Sequence, residues 1–379
     1  MTSRQRLLAA LDHQVPDCLP VTTHHLMPSF LRSFRGGMTE REFFDHFGLD
    51  AIRWVGALRD EDDAGEMAAG GRGCDPGQTC NWCVSRENVP DPDYRTTCFR
   101  IATPRGELSM VLQDDGRTEW VKERLIKEKR DIELIAWFAP TPICDVEEVN
   151  REAEAFGERG IVRGAVPGFP IYGQPGCWQD AAVLFGIEAL IVETFDDPAW
   201  VNELLAILHR CKLAWLQSSR GARFDLIELG GGDASSTVIS PKIFDRFVAP
   251  FDASLISAAH EAGHRIVYHT CGGMMPILEQ VAAMGPDAME TFTPRVMGGD
   301  ADLRAAKRRV GDRVCMIGGF DQFHHFVGCA PEETRRAVRR CFEEAGAGGG
   351  YILAPCDHFF EADEALVGAY VDEARGCVY

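Results

Sequence analysis

The chain has 379 residues, 45% of them hydrophobic and 26% charged, ordinary proportions for a globular protein with ample material for a core. Its 58 acidic and 39 basic side chains give a formal net charge of −19, which argues against binding nucleic acid or an anionic membrane, since both need clustered Lys and Arg. No run approaches the ~18 consecutive apolar residues of a membrane span.

The opening "MTSRQRLLAALDHQVPDCLPV" has neither the apolar core nor the small-residue cleavage site of an export signal, so the expected compartment is the cytoplasm. There the 14 cysteines are expected as ligands, nucleophiles or small core residues rather than disulfides. Short β-branched runs then alternate with amphipathic stretches. The predicted strands are "CLPVTTH" (18–24), "DAIRWVG" (50–56), "GIVRGAVPG" (160–168), "FDLIELGG" (224–231), "RIVYHTCG" (265–272), "DAMETFT" (287–293), "RVCMIGGFD" (313–321) and "GYILAPCDH" (350–358). The spacing predicts a helix over 240–263, with Ser240 as N-cap, Pro241 in the first helical position and Gly263 as C-cap. A second predicted helix, 330–346, has an acidic start and a terminal glycine.

Strand alternating with helix implies a parallel sheet, and eight such strands imply an α/β fold closed as a (β/α)8 TIM barrel; a doubly wound open sheet is the rival. Residues 57–130 interrupt the alternation. The first part of that stretch is rich in Gly, Pro, Asp and Asn, and "YRTTCFRIATPRGELSMVLQDDGRTEWVKERLI" reads as a β-meander with turns at Pro104–Gly106 and Asp115–Gly116. The expected organisation is a single domain over 1–379, with an irregular, β-rich insertion at 57–120 that caps one mouth as a lid. Cys74, Cys80, Cys83 and Cys98 lack the two tight pairs of a structural zinc site, so a second metal there is the weaker reading. "GAGGGY" (346–351) precedes a strand, whereas a nucleotide loop follows one.

Function in a barrel of this kind belongs to the C-terminal ends of its strands. Those ends carry Glu228, Asp233 and Ser235, then His269 and Cys271, Glu290, Asp321 with His324 and His325, and finally Cys356, Asp357 and His358. His269, Cys271 and Cys356 together suit Zn²⁺: one imidazole and two thiolates leave a fourth coordination position open, as in a catalytic site. The alternative is two small core thiols and an interior imidazole. Convergence of all three on one predicted mouth favours the metal. Glu290 is expected either at zinc's fourth position or in proton transfer, with a salt bridge to an arginine such as Arg295 as the bland alternative. Glu228 and Asp233 are expected to contact substrate.

The segments 240–292, "VCMIGGFD" (314–321), "GGGYILAPCDH" (348–358) and "RQRLLAALDHQVPDCLPV" (4–21) resemble the uroporphyrinogen decarboxylase superfamily, and within it the zinc-dependent, corrinoid-linked methyltransferases. The likeness is weakest through 57–105. It implies a (β/α)8 barrel whose zinc is held by a His-x-Cys pair and a late cysteine, here His269, Cys271 and Cys356. It also implies a small-molecule methyl donor or acceptor and a partner protein carrying the corrinoid. Two directions follow: demethylation of a methoxylated compound onto cobalt, favoured by the lid-like insertion, or transfer from methyl-corrinoid to a thiol. The decarboxylases of the superfamily work without metal and grip substrate carboxylates through an Arg-Gln-Ala-Gly-Arg segment. The matching region "VTTHHLMPSFLRSFRGG" (21–37) lacks it, which counts against metal-free decarboxylation.

Overall fold

A computed structural model describes residues 1–58 and 81–379. Eleven strands occur among these residues: β1 Ala51–Trp54, β2 Cys83–Val89, β3 Arg95–Thr103, β4 Gly106–Asp114, β5 Glu119–Glu123, β6 Gly160–Ala165, β7 Leu226–Gly230, β8 Ile266–His269, β9 Ala288–Thr291, β10 Cys315–Phe320 and β11 Tyr351–Pro355. Seven of them form one parallel sheet in the order β1-β6-β7-β8-β9-β10-β11, each beside its successor along the chain. Helices fill the connections, as parallel pairing requires. Every predicted strand after the first is therefore present, with boundaries within a few residues.

The first predicted strand, 18–24, is reduced to a single parallel bridge between Val21 and Leu353. Leu353 donates its N–H to the Pro20 carbonyl and accepts from Thr22 N–H, while Asp50 N–H donates to the Val21 carbonyl. The segment thus lies between β11 and the entry to β1. A longer ladder is blocked locally. Pro20 has no N–H to give, and the Val21 N–H is taken by the Asp50 carboxylate at 2.9 Å. Arg6 and Arg375 donate to that same buried carboxylate, tying the helix Ser3–Leu11 to the helix Glu364–Gly376.

Strand alternation sorts the sheet's side chains into two layers. Ile52, Ile161, Leu226, Val267, Ala288, Ile317 and Ile352 pack together with Leu7, Ala10 and Leu11 of the first helix. That helix plugs the end of the sheet where the strands begin. The opposite faces join the larger core under the outer helices, where Leu229, Tyr268, Met289, Met316 and Leu353 sit. Two residues beyond the inner apolar positions, on the same face, come Arg163, Glu228, His269 and Glu290.

The meander is present as an antiparallel sheet in the order β2-β3-β4-β5. At its second predicted turn, Asp115 accepts from the N–H groups of Arg117 and Thr118 at 2.8 Å, and Gly116 takes the positive φ of 86° that a side chain would resist. Ile101, Leu108, Met110 and Leu112 belong to the same apolar cluster as the outer layer of the barrel-like sheet. The predicted helix over 240–263 is capped as expected: Ser240 Oγ accepts from Ile243 N–H, and Gly263 is left-handed. Its interior differs, opening into a π-turn over Phe244–Val248. Pro250 cannot donate to the carbonyl four residues back, and the wider turn just before it relieves the clash.

Candidate active site at the C-terminal mouth

At the centre of the mouth is Arg163, a charge in the middle of a strand buried on both faces. Its Nη2 donates to Glu228 Oε2 at 2.6 Å and to Glu290 Oε1, and its Nη1 donates to Glu290 Oε2 at 3.0 Å. The guanidinium also lies 4.4 Å over the Trp54 ring. Burial works against the Glu290 carboxylate, but Arg163 and the imidazoles of His24 and His269 outweigh it and hold Glu290 well below the ordinary carboxylate range. The arginine partner of Glu290 is therefore Arg163, not Arg295, which lies exposed on a 3-10 turn.

Glu290 also faces His269 Nδ1 at 2.9 Å. An ionised carboxylate only accepts, so Nδ1 carries the proton. The other ring nitrogen, Nε2, lies 3.2 Å from Cys271 Sγ. Burial lowers the His269 pKa, but the adjacent Cys271 sulfur, Glu228 and these two hydrogen bonds overcome it and raise the imidazole well above its usual value. A carboxylate behind one nitrogen and a sulfur in front of the other is the arrangement of an oriented metal-ligand histidine. His269 and Cys271 thus fit two adjacent zinc ligands.

Cys356 does not join them here. Its N–H is pinned by the Phe320 carbonyl and Gln322 Oε1, and its thiol donates to the Phe292 carbonyl at 3.5 Å. Burial pushes the thiol well above its usual pKa, as does neighbouring Cys341. The side chain therefore faces the outer layer rather than the mouth.

Among the described residues, two groups have ligand atoms that all lie within 4.8 Å of one another: His24, Glu228, His269 and Glu290, and His24, His25 and His358. In the first group both carboxylates are already paired with Arg163. His24, His25 and Trp54 carry no signal in the sequence analysis, and neither does Arg163. For Arg163 the available signal was a lone charge within the run "GIVRGAVPG", since strands covered on both faces read as continuous apolar runs. Asp233 stands apart from the cluster, bonded through its carboxylate and N–H to the Gln179 amide; burial raises its pKa. His324 Nδ1 is held by Asp321 at 2.8 Å. Cys74 and Cys80 lie outside the described residues, and Cys98 is buried.

The uroporphyrinogen decarboxylase (URO-D) family profile matches residues 160–377, which contain all but His24, His25 and Trp54 of these groups. Two relatives named uroporphyrinogen decarboxylase are similar at low identity. One, from Thioalkalivibrio sulfidiphilus (strain HL-EbGR7), is 26% identical over 191 residues, 48% of this chain and 50% of the relative. The other, from Neisseria meningitidis serogroup B (strain MC58), is 24% identical over 237 residues, 60% of this chain and 64% of the relative. The chain spans half to somewhat under two thirds of these relatives. Among solved structures, a methyltransferase from Methanosarcina mazei superposes with a TM-score of 0.63 at 15% identity, covering 99% of this chain and 98% of that one; this shows a shared α/β fold. No helix among the described residues is long and apolar enough to cross a membrane. With the profile covering more than half of its length, the chain belongs to the uroporphyrinogen decarboxylase family.

Proposed function

We propose that this protein is a zinc-dependent methyltransferase, built on a (β/α)8 barrel whose eighth stave is the Pro20–Thr22 segment. It would move a methyl group between a methoxylated small molecule and the cobalt of a corrinoid protein. The observation that carries the reading is the His269–Cys271 pair, with Nε2 turned to the sulfur and Nδ1 held by Glu290. His269 and Cys271 would hold the ion, and Cys356 would supply the second sulfur only by leaving the Phe292 carbonyl to which its thiol is bonded. When bound, zinc supplies Lewis acidity toward the heteroatom that carries the methyl group. Glu290 fixes the imidazole's tautomer and orientation, and Arg163 pairs with Glu228 and holds Glu290 ionised in a buried setting. The insertion leans on the rim: Tyr172 OH donates to the Glu119 carbonyl and Trp82 packs on Phe169. That contact supports its role as a lid that narrows access for substrate.

Metal-free decarboxylation, the activity named in the two sequence relatives, is less well supported. A polycarboxylate substrate needs free arginines, but Arg163 is consumed by two carboxylates and Arg35 by Glu364 and His46. The deciding experiment is zinc X-ray absorption on the purified protein. Sulfur scattering at ~2.3 Å is expected, halved in either Cys271→Ser or Cys356→Ser and lost when both are replaced. Anaerobic incubation with cob(I)alamin and methoxylated compounds should then yield methylcobalamin. Absence of any zinc–sulfur contact would reject the proposal, and failure with every methoxylated donor while the protein demethylates methylcobalamin with thiols would reverse the direction.

A further inference from the structure

The mouth holds a second constellation that the methyl-transfer reading does not use. His24 and His25 follow the Pro20–Thr22 segment, and His358 follows β11, so the three imidazoles meet across the seam between the two ends of the sheet. Their ring centroids lie 4.4 Å apart for His24–His25, 5.5 Å for His25–His358 and 5.7 Å for His24–His358. We infer that His24, His25 and His358 form a three-imidazole site for a divalent transition-metal ion, with ligands distinct from the His269–Cys271 pair, on whose imidazole the His24 ring stacks at 5.3 Å.

Four observations carry this. One ligand nitrogen of each residue falls within 4.8 Å of the others. His24 is 8% exposed, yet among the described residues neither its ring nor that of His25 makes a hydrogen bond; its contacts with Glu228 and Glu290 are 3.9 Å. Of the three imidazoles His24 is buried and the other two half-buried; a buried ring ordinarily finds a partner, and a bound cation would provide one. His358 Nδ1 faces Asp357 Oδ1 at 3.2 Å, which leaves Nε2 as the ligand atom and Asp357 as the carboxylate that orients it. Finally, His25 is stacked on Trp54 at 3.9 Å, which limits ring rotation. Nitrogen-only ligation selects ions such as Zn²⁺, Co²⁺ or Ni²⁺ over Mg²⁺ or Ca²⁺, and three protein ligands leave open positions for water or a substrate oxygen.

The test uses the full chain loaded with Co²⁺ or Zn²⁺ after removal of bound metal. His24 is spared because it also borders Glu290. The expected content is about two ions per chain, falling to one in His25→Gln and in His358→Gln, both of which keep side-chain volume. In the Co²⁺ protein these two variants should lose visible bands without sulfur character and retain the thiolate-to-cobalt absorption. The Cys271→Ser/Cys356→Ser double variant should show the reverse, so failure of either site is seen independently of the other. Asp357→Asn should weaken the histidine site by ~10- to 100-fold. Unchanged metal content and spectra in correctly folded His25→Gln and His358→Gln would overturn the inference.

Discussion

Asp252 shows how a single buried acid ties stability to pH. It lies fully buried on the helix Ala249–Ala262 and accepts from the Tyr268 hydroxyl at 2.9 Å. Burial pushes its carboxyl up from 3.8 to about 6, and the Tyr268 hydrogen bond and the Lys212 charge reverse only part of that. The folded protein thus holds this proton more tightly than the unfolded chain does. Its stabilising contribution is fully present below pH 3.8 and is lost as the pH rises through about 6. Asp252→Asn keeps an acceptor for Tyr268 and removes the ionisable group. It is expected to be more stable than the parent by ~1–3 kcal/mol at pH 8, with the two converging below pH 4. Urea unfolding across that range checks this; an Asn variant weaker at pH 8 contradicts it. Arg163 makes the opposite case. Arg163→Met strands Glu228 and Glu290 without a counter-charge, and a loss of ~3–5 kcal/mol is expected in the same assay.

At the scale of elements, the rim loop after β6 is held from beneath by two helices. Lys212, on the helix Pro198–Ser218, donates to the carbonyls of Pro167 and Gln174 and to Asp180 Oδ2 at 2.6 Å. Asp180, on the helix Cys177–Phe185, accepts in turn from the N–H groups of Phe169 and Gln174. The buried pair therefore satisfies the backbone of the very loop on which the meander rests. Lys212→Met leaves Asp180 buried and unpaired, and is expected to cost ~3–5 kcal/mol and to open 166–176 to limited proteolysis before global unfolding. Cleavage at the parental rate in that loop would refute the clamp. The strands and helices themselves were legible because their signals are local: Ser240, Pro241 and Gly263 mark helix ends by their own backbone chemistry, and Asp115–Gly116 marks its turn. The short first strand was not legible, because what shortens it is the side chain of Asp50, 29 residues away from Val21.

Across the whole molecule, the cysteines divide by depth. Of the free cysteines among the described residues, Cys211, Cys271 and Cys329 are partly accessible and the others buried; burial lifts the thiols of Cys144, Cys315 and Cys341 to about 12. Iodoacetamide on the native protein is expected to label Cys271 and Cys329 first, with Cys211 slower because burial raises its pKa. Zinc should protect Cys271, and urea should expose the rest, all read by mass spectrometry. Labelling of Cys271 that ignores zinc would count against the metal pair. The amino-acid order alone settled the alternation of strand and helix and the inserted meander, through periodicity and short-range turn chemistry. It also placed His269 beside Cys271. Only the folded chain decided that Arg163 meets Glu290 across 127 positions, that His24 and His25 meet His358 over the seam, and that Cys356 turns outward. Alternation tells which face a side chain takes, but neighbours on that face are set by sheet register, and register is a property of the assembled sheet.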